Sequence, residues 1–87
     1  MAPKITIHAI AIDAPGAGGS DWFYSKHDAD ARMTEYENEF ASAKGKVSFV
    51  RFDHEFDAGT SRNVIESEID TIAWDRTYTV LREFKTR

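Results

Sequence analysis

The sequence predicts an α+β domain: a small antiparallel sheet of four to five strands packed against one main α-helix, in the order ββαβ(β/α)β. Three observations carry this. Residues 4–13, KITIHAIAID, alternate as a strand does. Residues 25–45 hold a single apolar stripe at helical spacing, opened by a capping sequence and followed by a glycine. Alternation returns over 46–56 and 76–85. With 87 residues there is room for one domain, 1–87, and 41% apolar residues are enough for a core and too many for a disordered chain.

The elements follow in order. In 4–13, Ile5, Ile7, Ala9 and Ala11 alternate with Thr6, His8, Ile10 and Ile12, so both faces carry apolar groups and the strand belongs in the middle of a sheet. Ala14-Pro15-Gly16-Ala17-Gly18-Gly19-Ser20 predicts a flexible hairpin loop, and Asp21-Trp22-Phe23-Tyr24 a short aromatic strand turned back on the first. Ser25-Lys26-His27-Asp28 has capping-box spacing, with Asp28 as a shorter stand-in for the usual glutamate. In the helix that follows, Ala29, Met33, Tyr36, Phe40 and Ala43 form the apolar stripe. Asp28, Arg32, Glu35 and Glu39 lie opposite, and Gly45 after Lys44 is the stop signal.

Val50, Phe52, His54 and Phe56 share one face of the next strand, and 57–61 read as a turn. Residues 62–74 satisfy two periods. Val64, Ile65, Ile69, Ile72 and Ala73 fit a helix capped by Ser61; Ile65, Ser67, Ile69 and Thr71 alternate against Glu66, Glu68 and Asp70. The wealth of β-branched residues favours the strand. A last strand over 76–85 turns Tyr78, Val80 and Phe84 inward.

Composition excludes several function classes. Without cysteine there is no disulfide framework, thiolate nucleophile or thiolate metal site. No apolar run approaches a membrane span, and MAPKITIHAIAIDAP is not a signal peptide, so a soluble cytoplasmic protein with no membrane partner is expected. A net charge of -4 with scattered Lys and Arg speaks against direct nucleic-acid binding. The glycine-rich stretch lacks the Gly-Lys-Ser/Thr ending of a phosphate loop and precedes a strand. There is no serine elbow, and His8, His27 and His54 have no convergent carboxylate pair at readable spacing. No enzyme and no cofactor is expected.

The densest chemistry lies in FDHEFDAGTSRNVIESEID, residues 52–70, with carboxylates at Asp53, Glu55 and Asp57 and again at Glu66, Glu68 and Asp70. Alternation sends His54 to the face opposite Asp53 and Glu55, so these three cannot converge on one metal ion. If 47–56 and 62–72 form a hairpin, each acidic trio shares a face, and opposed like charges are tolerated only if exposed or met by cations. The plain reading is a solvated outer face balanced by Arg51, Arg82 and Lys85. The functional reading is an acidic surface, extended by Glu35 and Glu39 on the helix, that meets a basic partner. Trp22, beside the glycine-rich loop, is the candidate aromatic anchor.

In size, charge and ββαβ layout, with SDWFYSKHDADARMTEYENEF at its centre, the chain resembles the small acidic cysteine-free proteins of phages and other mobile elements. Among these are the anti-CRISPR proteins and related inhibitors of host defence. The resemblance implies a mode of action and no residue roles: a rigid domain whose carboxylates occupy a basic, nucleic-acid-binding groove on a host protein or nucleoprotein complex. The alternatives are a ferredoxin-like dimer holding a small organic molecule between sheet and helix, or a structural or assembly subunit. A homodimer fits either.

Overall fold

A computed structural model describes residues 3–14, 17–43 and 45–86. Its elements are β1 (Lys4–Ala14), β2 (Ala17–Phe23), α1 (Lys26–Glu39), β3 (Ser48–Asp57), α2 (Arg62–Asp75) and β4 (Arg82–Lys85). The four strands form one antiparallel sheet in the order β2-β1-β3-β4. β1 is an inner strand, as its two apolar faces require.

Each face of the sheet carries one helix. Ile10 of β1 and Phe49 of β3 pack with Met33 and Tyr36 of α1 and with Val47. On the other face Ile7, Ala9, Ala11, Val50, Phe52 and Phe56 pack with Ile65, Ile69 and Ile72 of α2. The expected antiparallel sheet and main helix are present, and α2 adds a second helix on the opposite face, so the molecule is three layers deep. The order ββαβαβ with helices on opposite faces is also not the βαββαβ plan of a ferredoxin-like domain.

The helix over 62–75 corrects the strand that alternation favours, and with it the hairpin of 47–56 with 62–72. Ser61 caps it, its side chain accepting from the Val64 N–H. Ile65, Ile69 and Ile72, spaced as a helix needs, are buried against an apolar sheet face that would otherwise be bare. Burying a side chain of this size contributes roughly 1.5–3 kcal/mol, which outweighs the tenths lost to β-branched helix propensity.

Three boundaries also move. Pro15, Gly16 and Lys44 lie outside the described residues, but Ala17–Ser20 belong to β2 and are not a loop. α1 ends at Glu39 with Phe40 as its C-cap, well before Gly45. The last strand is only Arg82–Lys85: Arg76 closes α2 in the left-handed conformation with φ 58°, and the chain through Leu81 carries it back to the sheet edge. Tyr78 and Phe84 do pack inward, against opposite faces, whereas Val80 is exposed. No described helix is long and apolar enough to cross a membrane.

Candidate partner-binding site

The two acidic trios do not share a surface. Strand parity puts Asp53, Glu55 and Asp57 on the α1 side of the sheet, opposite His8, Thr6 and Lys4 of β1. Glu66, Glu68 and Asp70 belong to α2, on the other side. At 100° per residue Glu66 and Asp70 flank one side of the buried stripe and Glu68 the other. Glu35 and Glu39 stand on α1, and Glu35 accepts from Arg32 Nη1 at 2.7 Å.

Several of these carboxylates are engaged inside the fold. Arg51, expected as a surface counter-charge, is 2% exposed. Its Nη1 donates to Asp53 Oδ1 at 2.6 Å and to the Phe52 carbonyl at 2.8 Å, and its Nε donates to Asp30 Oδ1 at 3.1 Å. His8 Nδ1 lies 2.8 Å from Asp53 Oδ1 and 3.2 Å from Arg51 Nη2. Partial burial pushes the Asp53 carboxyl up, but the bonds from Arg51 and His8 more than offset it and hold the group below its ordinary value. The Lys26 hydrogen bond, opposed by burial and helped by Arg51, likewise holds Asp30 low. Asp57 accepts from Lys4 Nζ at 2.6 Å. Glu55, Glu66 and Glu68 have no ion-pair partner among the described residues. Of the other expected counter-charges, Arg82 is held by Glu37 at 2.5 Å.

Trp22 is half-buried and forms the seam between β2 and α2. Its ring packs against the α2 core, meets Tyr24 edge-on at 5.4 Å and lies under the Arg62 guanidinium at 5.1 Å. The exposed indole is Trp74, at 87%. Sequence reasoning passed over it, although strand parity would also have set it on the face of Glu66, Glu68 and Asp70. As a helix, 62–75 sets Glu66, Asp70 and Trp74 in an i, i+4, i+8 row along one flank. Ser20 of β2 donates to Asp70.

Beside this row runs an open groove of about 700 Å³ between the C-terminal end of α2 and the end of the sheet. Asp70, Trp74, Tyr78 and Glu83 line it together with Lys85 and the Arg76–Asp13 ion pair at 3.1 Å. No group of three or more His, Asp or Glu side chains placed to hold a metal ion occurs among the described residues. His54 meets Phe56 edge-on at 5.0 Å, on the face away from Asp53 and Glu55.

The arrangement therefore offers association chemistry: an exposed indole, carboxylates in line with it and an adjoining groove. No protein-family profile, no curated protein and no solved structure matches the chain.

Proposed function

We propose that the protein is a non-enzymatic binding protein that docks on a basic, nucleic-acid-binding host protein or complex in the cytoplasm and blocks it, as the anti-CRISPR-type inhibitors that it resembles do. The row Glu66–Asp70–Trp74 carries this reading, because it ends in an indole 87% exposed. A tryptophan so placed adds nothing to the core. It is the side chain that most often anchors an interface, and its face attracts Lys and Arg.

Helix electrostatics support the same reading. Asp75 lies in the last turn of α2, which holds no basic residue, and Arg76 at the C-cap is turned to Asp13. A carboxylate at the negative end of a helix dipole costs about 0.3–1 kcal/mol, a cost that an arriving cation relieves. A basic partner would be steered by the net charge of -4, seat a guanidinium or ammonium over Trp74 and place neighbouring side chains in the groove.

The test is affinity capture from host lysate with mass spectrometry, run in parallel with Trp74→Ala and with the double reversal Glu66→Lys, Asp70→Lys. A captured protein with a basic nucleic-acid-binding surface should be lost from both variants and released by salt. Capture indifferent to salt and to both variants, and abolished by Trp22→Ala, would move the site to the β2 seam.

A further inference from the structure

The strand order leaves part of β3 without a neighbour. β1 pairs with β3 throughout, Lys4–Asp13 against Ser48–Asp57, but β4 pairs only with Ser48–Arg51. On the β4 side of Phe52–Asp57 there is no strand among the described residues. Two hydrogen bonds fix which backbone groups lie there. The Thr86 N–H donates to the Val47 carbonyl at 2.9 Å on the β4 side, and the Ala58 N–H donates to the Pro3 carbonyl at 2.9 Å on the β1 side. Successive residues of an antiparallel strand turn their N–H and C=O groups to alternate neighbours. Odd-numbered residues of β3 therefore face β4 and even-numbered ones face β1. The backbone groups of Asp53 and Glu55 point out of the sheet.

This edge has a defined character on each face. The Asp53, Glu55 and Asp57 side chains stand on the α1 side, and Phe52, His54 and Phe56 on the α2 side. Where β4 peels away, the Leu81 N–H still holds the Arg51 carbonyl at 2.9 Å, and Val80 and Leu81 stand 50% and 55% exposed at the lip. A bare edge templates the pairing of another strand. A second copy offering the same edge would set acidic residues across from acidic residues, which destabilises a strand pair.

We infer that the Phe52–Asp57 edge is a β-augmentation site for an extended segment of a partner protein with Lys or Arg at alternate positions and apolar residues between them. The precedent is within the chain. On the inner edge of the same residues β1 sets Lys4 across from Asp57, Nζ to Oδ1 2.6 Å, and His8 across from Asp53, Nδ1 to Oδ1 2.8 Å. Ile5 and Ile7 fall between them, across from Phe56 and His54. An incoming strand of that alternation repeats the pattern on the outer edge. Its cations meet the acidic row, with Glu55 the member that has no ion-pair partner among the described residues, and its apolar side chains reach Leu81 and Val80. The site is distinct from the α2 row and stands whether or not that row binds anything.

The experiment titrates the ¹⁵N-labelled protein with three short capped peptides. One alternates lysine and isoleucine, one is its backbone N-methylated counterpart, and one has the same composition with the lysines contiguous. The alternating peptide should shift the Asp53 and Glu55 amide signals and slow their hydrogen exchange. It should bind at least about tenfold more tightly than the other two, the effect of a few backbone hydrogen bonds. Glu55→Lys should weaken it similarly while leaving the unfolding midpoint unchanged. Equal binding of the N-methylated or contiguous-lysine peptide, unaltered exchange at Asp53 and Glu55 under saturation, or no binding would each overturn the proposal.

Discussion

Arg51 Nε sits 3.1 Å from Asp30 Oδ1, so an almost wholly buried guanidinium in the middle of β3 is tied to α1. The same guanidinium holds Asp53 in its own strand, making a buried polar clamp between α1 and the sheet, beside the more exposed Arg82–Glu37 pair.

Removing the clamp should be costly. Arg51→Ala leaves Asp30 and Asp53 facing a void, and breaking a buried ion pair from one side costs roughly 3–5 kcal/mol. Asp30 and Asp53 are 39% and 31% exposed, so the low end of that range is expected. Urea denaturation measures it, and a loss below about 1 kcal/mol would mean that the clamp is incidental.

Acid should loosen the same contact. Asp30 and Asp53 have folded-state pKa values below their ordinary ones, so the folded state favours their charged forms. Their contribution is fully present above the unfolded carboxylate pKa, about 3.9, and is lost as pH falls through the depressed folded values. Melting temperature followed downward from neutral pH should fall below about pH 4, and Asp53→Asn should flatten that limb. Identical acid limbs in the two proteins would refute the assignment.

Glu68→Pro tests the second helix. A proline inside α2 removes an N–H donor and clashes with the preceding turn, at about 3 kcal/mol or more. The far-ultraviolet helical signal and the unfolding midpoint should both drop, whereas an outward position on an edge strand would tolerate the change.

The two tryptophans should behave oppositely. Trp22→Ala opens the β2–α2 seam and should cost about 2 kcal/mol, less than for a fully buried aromatic. Trp74→Ala should leave stability within about 0.5 kcal/mol, because its indole touches mostly water. Chemical denaturation of both variants decides this, and equal losses would contradict the placement of Trp74.

How much was legible in the sequence depended on whether a signal was local. The start of α1 was: the Asp28 N–H donates to Ser25 Oγ at 3.3 Å as the capping pattern implies, and Met33 and Tyr36 are buried on the expected stripe. Phe40 packs less deeply, because the helix stops one residue before it. β1 as an inner strand was readable from its two apolar faces. Residues 62–75 were not, since their isoleucines satisfy both periods and the deciding factor, a second apolar sheet face needing cover, is tertiary. The acidic row at 53, 55 and 57 was legible as sharing a face. Its partial neutralisation was not, although Arg51 has the same strand parity as Asp53 and could have signalled it. Trp74 has the parity of Glu66, Glu68 and Asp70, so either period would have placed it beside acidic residues and could have signalled its exposure.

The inner position of β1 also governs the order in which the chain assembles. β1 and β2 are neighbours in sequence and can close as a hairpin early, but Lys4 reaches Asp57 across 53 positions. Until β3 is made and docks, β1 has one bare flank, and the face that α2 covers stays open longer still, because α2 follows β3 in the chain. Loop-closure entropy delays that step, so folding should be slower than in a helical bundle of this length. During synthesis β1 is thus made before β3 and enclosed only after it, and the interval before β3 emerges from the ribosome is when the chain is most prone to associate with its own copies.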